Sequence, residues 1–211
     1  MNINLHILNS SGSLTPFTED IKRIFDQSIK KIISKVSISD VDVVVYDNPD
    51  SAIPEIGTGG YAPNKHLVWI SIDPAFPNLA QSIEKELGRT LAHELHHALR
   101  WKDPGYGKTL FEALITEGLA DHFDIEVNNA QPHIWDTVLS NEHIQKYLEL
   151  AKKEFNNEDY KHSDWFFGSK KRDIPKWTGY SLGFYLVGEY LKENPKEKAS
   201  SLYSKKAADF K

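Results

Sequence analysis

Two histidines four residues apart with a glutamate between them, His93-Glu94-Leu95-His96-His97, are the residues of this 211-residue chain best suited to chemistry. In an α-helix that spacing brings the imidazoles of His93 and His97 onto one face, one turn apart. Two ring nitrogens so placed reach a single ion at about 2.0–2.1 Å each. Glu94 stands to the side of the same face, poorly placed as a third ligand. It is well placed to take a proton from a water on the ion, which is the general-base role in this motif. A catalytic zinc keeps three protein ligands and one open position, so a further ligand must come from another segment. Glu117 follows His97 by twenty residues. Between them Lys102-Asp103-Pro104-Gly105-Tyr106-Gly107 supplies a turn, because Pro and Gly stop helices. Asp121, four residues past Glu117, shares its helix face and is a candidate to accept the free ring N–H of a metal-bound histidine. His96 points away from this face and reads as structural or solvated. The pentamer alone carries the false-positive risk of any short motif, since solvated His and Glu on a polar helix face look the same. The downstream Glu and Asp on a second helix weigh against that reading.

His93-Glu94-x-x-His97 followed by Glu117-x-x-x-Asp121 resembles the pattern of the gluzincins, the thermolysin-like zinc metallopeptidases. More closely, AHELHHALR at 92–100 with ITEGLADHF at 115–123 resembles the YjaZ-like family of predicted zinc-dependent proteases. The likeness runs from about Gly57 to Leu191 and is strongest in these two segments. It implies His93, His97 and Glu117 as ligands of Zn2+, Glu94 as general base and Asp121 as the acceptor behind a ligand. It also implies an edge strand above the active-site helix that pairs with extended substrate. The candidates are Leu67 to Asp73, or the Gly59-Gly60 approach to it. The physical basis is β-augmentation, in which main-chain hydrogen bonds grip a peptide whatever its side chains, and Gly lets a second backbone come close.

The elements around these residues read as an α+β, zincin-like protein. A strand at 3–8 carries His6 as a packed or edge residue. Thr18-Glu19-Asp20 opens a helix to about Val36 with Ile21, Ile24, Phe25, Ile29, Ile32 and Ile33 as its core stripe. A β-branched strand covers 40–46. The Gly-rich run from Ile56 to Pro63 lacks the Gly-Lys-Ser/Thr ending of a phosphate loop and reads as a flexible turn. A strand at 67–73 leads to the long helix from about Leu79 to Trp101. Its buried face is Ile83, Leu87, Leu91, Leu95, Ala98 and Leu99, and Trp101 either roofs the site or is core. Further helices are expected from Thr109 to about Glu126, from Pro132 to Phe155 and from Trp177 to about Lys192. Gly118, Gly179, Gly183 and Gly188 suggest close helix packing. His122, beside Asp121, reads as a surface histidine, with substrate contact as the alternative. Asp164 to Lys176 reads as a solvated loop whose Lys170, Lys171 and Arg172 could meet a substrate carboxylate. Residues 195–211 read as a loosely packed polar tail. A single domain results, an upper lobe of about 1–105 and a lower helical lobe of about 106–194 around a cleft. An oxyanion donor is sought downstream. Tyr180 is the first choice and Tyr185 the rival, with simple Tyr packing as the alternative.

Composition narrows the field. Hydrophobic residues at 40% support a sizeable core, and a net charge of −5 with both signs mixed gives no footprint for nucleic acid or an anionic membrane. With no cysteine in the chain, disulfides and thiolate zinc sites are excluded. The N-terminus lacks the basic and apolar regions of a secretory signal, and no stretch approaches a membrane span, so a cytoplasmic protein is expected. The expected partner is a peptide or protein substrate; oligomeric state is unread. Three functions compete: a zinc metallopeptidase, a zinc-stabilised structural module, and an inactive peptide-binding or stress-related protein using the edge strand. The peptidase expectation requires Glu94 to be catalytic while the metal binds without it. A zinc ion would acidify a water, Glu94 would take its proton as it attacks the scissile carbonyl, and Glu94 would pass that proton to the leaving amine.

Overall fold

Alternation in the first strand and the run of valines in the second build a β-α-β start. A computed structural model describes residues 2–38 and 40–210. They divide into one unit spanning Met1–Lys102 with Val127–Asn129 and another spanning Asp103–Glu126 with Ala130–Lys211. Together they hold a four-stranded mixed sheet and seven α-helices among the described residues, a mixed α+β protein. No helix among them is long and apolar enough to cross a membrane.

In the first unit, β1 (Ile3–Leu8), β2 (Val41–Asp47), β3 (Thr58–Asn64) and β4 (Leu67–Ile72) form a sheet in the order β1-β2-β4-β3. β1, β2 and β4 are parallel, with Ile3 opposite Val41 and Asp42 opposite Leu67; β3 returns antiparallel to β4, with Gly60 opposite Ile70. Val43, Val45, Val68, Ile70 and Ile72 fill one face and are buried. The other face carries His6, whose Nε2 lies 2.9 Å from Asp42 Oδ1, and exposed Tyr61 and Trp69. His6 is therefore an edge residue, as expected.

The strand at 67–72 is not an edge, because β3 pairs along its outer side. The Gly-rich run is not a flexible turn: Thr58 to Asn64 is that edge strand, and its glycines mark places where other atoms press against the backbone. α1 (Thr18–Ile33) covers the whole apolar stripe but ends before the expected Val36, and Ile33, expected in the core, is 39% exposed. On the side of α1 facing the next helix, Ser28 lies where a side chain on Gly88 would have to be, and Arg23 pairs with Glu84.

The second unit is helical. α3 (Leu110–Asn128, up to Glu126 in this unit), α4 (Asn141–Lys152), α5 (His162–Phe166), α6 (Thr178–Glu193) and α7 (Ala199–Leu202) surround two apolar clusters. Leu114, Tyr147, Leu148, Trp165, Phe166 and Leu182 belong to the larger. The helix expected from Pro132 begins only at Asn141, because Asp136 Oδ2 accepts the His133 N–H at 2.6 Å in a turn and Ser140 caps the helix proper. The stretch 164–176 is not a solvated loop. Trp165 and Phe166 are fully buried, and Arg172 is committed to ion pairs with Glu154 and Asp164. Nor is 195–211 a loose tail. Leu202, Ala207 and Phe210 pack on Phe111, Ile115, Leu119 and Val187, and Ser200 Oγ donates to Glu126 Oε1 at 2.8 Å.

Candidate metal centre

The central helix of the first unit is α2 (Leu79–Arg100). Asn78 enters it from a left-handed conformation with φ of 56°. The apolar spacing holds the helix against the sheet: Ile83, Leu87, Leu91, Leu95, Ala98 and Leu99 are all at most 2% exposed. One side of the last two turns carries the candidate residues. His93 Nε2 and His97 Nε2 lie 2.9 Å apart, with ring planes at 88°. Two nitrogens bound to one tetrahedral ion at 2.0–2.1 Å would be roughly 3.3 Å apart, so a few tenths of an ångström separate the two arrangements. Ring nitrogens facing one another cannot both carry a proton, so at least one lone pair points into the gap. Donor atoms of His93, Glu94 and His97 all lie within 4.8 Å of one another, a set able to hold a metal ion. Glu94 and His97 are buried, while His93 is half-buried. His96 is fully buried, which selects the structural reading of it over the solvated one.

β3 passes directly over Glu94. A side chain on Gly60 would meet Glu94 Cγ at 2.4 Å and its Oε1 at 2.5 Å, so only glycine lets the strand lie against the glutamate there. The strand is fastened at both sides of that contact. Thr58 Oγ1 lies 3.3 Å from Thr90 Oγ1, and Trp101 Nε1–H donates to Ala62 O at 2.7 Å. Trp101 is 37% exposed, so it is neither core nor free; it pins the edge strand to the end of α2.

Glu117, Asp121 and Tyr180 belong to the second unit. Glu117 and Asp121 are both buried on α3. The chain before α3 is tied back onto it. Glu112 Oε2 accepts the N–H groups of Lys108 and Thr109 at 2.8 and 2.9 Å, and Thr116 Oγ1 donates to Tyr106 O at 2.8 Å. These ties aim the Tyr106 hydroxyl at Glu117, where it donates to Oε1. Burial and the Glu117 charge push the Tyr106 hydroxyl well above its ordinary pKa. Burial, with the charges of Glu117 and Glu112, pushes Tyr160 up to about 12. His162, 3.1 Å from the Tyr160 hydroxyl, is lowered by burial against the opposing pull of Glu117. Behind Glu117, a side chain on Gly118 would meet Gly183 O of α6 at 2.2 Å, the close helix packing that the glycines implied.

The other candidates sort by surroundings. Tyr180 packs edge-on against Phe166 with ring centres 5.0 Å apart. Tyr185 instead lines a separate cavity of about 640 Å³ with Leu139, Ile144 and Phe184, and its hydroxyl accepts from Gln145. His122 is not a surface histidine. It stacks on Phe184 with ring centres 4.2 Å apart, and Nε2–H donates to Phe184 O at 3.0 Å. Tyr106 was missed by sequence reasoning. It sits in a Pro/Gly run whose sequence signals only a turn, and no spacing rule links it to Glu117.

Over residues 21–211 the chain matches the family described as predicted Zn-dependent protease (DUF2268). No curated protein and no solved structure matches the chain.

Proposed function

The chain belongs to that family of predicted Zn-dependent proteases, and we propose that it is a zinc metallopeptidase of gluzincin type in a single zincin-like domain. The observation that carries the proposal is the convergence of His93 Nε2 and His97 Nε2, 2.9 Å apart, with the Glu94 carboxylate beside them. The sequence spacing and the resemblance add Glu117 as the third ligand and Asp121 as the acceptor behind a ligand histidine. When bound there, zinc supplies a Lewis acid that acidifies a water and polarises a carbonyl. The chain's residues do the rest. Glu94 takes the proton of the attacking water and delivers it to the leaving amine. Its burial keeps that proton from bulk exchange. Tyr180 donates to the developing oxyanion. The outer edge of β3 pairs with the substrate main chain, which fixes a peptide in extended form over Glu94.

The test is zinc content and cleavage of a quenched peptide library, with wild type and Glu94→Gln measured in parallel. Both proteins should hold one zinc per chain, and the variant's cleavage should fall by roughly 10²–10⁴. Wild-type cleavage by the variant would remove Glu94 from the mechanism, and a wild type that binds no zinc would end the proposal. The exposure of Gly60 and Tyr61 on β3 favours one second reading, an inactive peptide-binding or stress-related protein. That reading expects peptide capture to survive removal of the metal with a chelator.

A further inference from the structure

We infer that Tyr106 is a positioning residue for the metal site, one that aims the carboxylate of Glu117; this rests on the ligand set proposed above. A glutamate on a helix swings through three side-chain torsions, and a metal ligand needs its oxygen held in one place. Tyr106 supplies that restraint. Its hydroxyl donates to Glu117 Oε1. A carboxylate accepting one hydrogen bond keeps lone pairs on both oxygens, so the contact orients the group without using up its ability to bind a cation.

The tyrosine is itself held. Its carbonyl accepts from Thr116 Oγ1 at 2.8 Å, and the two residues after Gly107 give their N–H groups to Glu112 at 2.8 and 2.9 Å. A side chain on Gly107 would meet Glu112 Cβ at 2.3 Å, so the loop lies tight against α3. Glu112, Thr116 and Glu117 are thus three points on one side of α3 that fix the loop and its hydroxyl together. Partners that stand behind a metal ligand and fix its orientation typically matter by about 10–100-fold in metal affinity.

An ordinary buried hydroxyl would lack this effect, and the same unit provides one for comparison. Tyr147 OH donates to Asp173 O at 2.9 Å, and Tyr147 is packed in the larger apolar cluster. The experiment compares wild type, Tyr106→Phe, Thr116→Val, Glu117→Gln and Tyr147→Phe in the full chain. It measures zinc affinity by competition with a chelator, the absorption bands of the cobalt(II)-substituted protein, and the melting temperature. Tyr106→Phe should weaken zinc binding by about 10–100-fold and shift the cobalt bands. Thr116→Val, which keeps the Tyr106 hydroxyl but removes the bond that anchors Tyr106 to α3, should do the same by a smaller factor. Tyr147→Phe should lower the melting temperature and leave zinc affinity and cobalt bands alone. If Glu117→Gln loses zinc while Tyr106→Phe binds it as wild type does, the inference is overturned and the ligand set stands. If Glu117→Gln also binds as wild type does, both fall together.

Discussion

α2 and α3 each bury groups that chemistry would need, and they hold them by opposite means. On α2 the groups converge on one another, and Glu94 is held from above by the main chain of β3 at Gly60. On α3 a side-chain donor, Tyr106, reaches Glu117, and the helix is held from behind by main chain at Gly183. A strand backbone laid over a carboxylate leaves the carboxylate able to move if the strand changes. A hydroxyl donated to a carboxylate fixes its direction. The difference fits the proposed division of labour, in which Glu94 would pass a proton and Glu117 would stay still as a ligand.

The sharpest break of that comparison is the pair Glu94→Gln and Glu117→Gln. The first should retain zinc and lose cleavage by roughly 10²–10⁴, and the second should lose zinc first. Equilibrium dialysis and peptide cleavage read both. If the two variants behave alike, the division of labour is wrong.

The glycines give the next largest effect. At Gly118 an added methyl meets the backbone of Gly183 at 2.2 Å, which cannot yield without separating α3 from α6. Gly118→Ala should therefore cost about 1–3 kcal/mol or more in stability, seen as a drop of several degrees in melting temperature. At Gly60 the methyl meets the side chain of Glu94, which can swing aside. Gly60→Ala should lower the melting temperature less than Gly118→Ala does. Cleavage should fall by roughly 10²-fold, the typical cost of displacing a catalytic group by about 1 Å. Equal stability losses at the two positions would show that Glu94 is as rigidly held as the helix pair. A smaller change is expected from Trp101→Phe, which removes the bond to Ala62 O. It should cost about 1 kcal/mol and raise hydrogen exchange in β3 while leaving α3 alone.

How much of this was legible depended on what does the holding. The α2 motif was readable because spacing on one helix converts directly into geometry, and the apolar stripe from Ile83 to Leu99 is buried as its period implies. Gly118 and Gly183 were readable as close packing because glycine in a helix interior needs a reason. β3 was not readable as a strand, since glycines at 59 and 60 depress strand propensity and their reason, contact with Ser51 O and Glu94, lies in other segments. Tyr106 was hidden for the same reason, as a long-range hydrogen bond leaves no period. The end of the chain was misread because its apolar residues are few. Leu202, Ala207 and Phe210 suffice to dock it, because the cluster they join is already assembled by α3 and α6.

The least effect, and a test of the comparison by its imidazoles, concerns His122. The α2 histidines turn Nε2 toward each other, whereas His122 on α3 must carry its hydrogen on Nε2, because Phe184 O can only accept. That atom is unavailable as a ligand, and the ring is a packing element stacked on Phe184. Burial lowers its pKa, against the Phe184 bond and the Asp121 charge, which raise it. The sign follows. In the unfolded chain the ring takes a proton near pH 6.5, while the folded ring resists until lower pH. Between those values the unfolded state binds more protons, so its stabilising contribution is complete above about pH 6.5 and is lost as pH falls toward the folded value. Urea midpoints at pH 7.5, 6.5 and 5.5 should show this extra loss in wild type. His122→Gln keeps a donor near Phe184 O and does not titrate, so its slope should be shallower by that amount, with zinc present or removed. A slope that changes with zinc would place His122 in the metal's surroundings and erase the distinction between the histidines of the two helices.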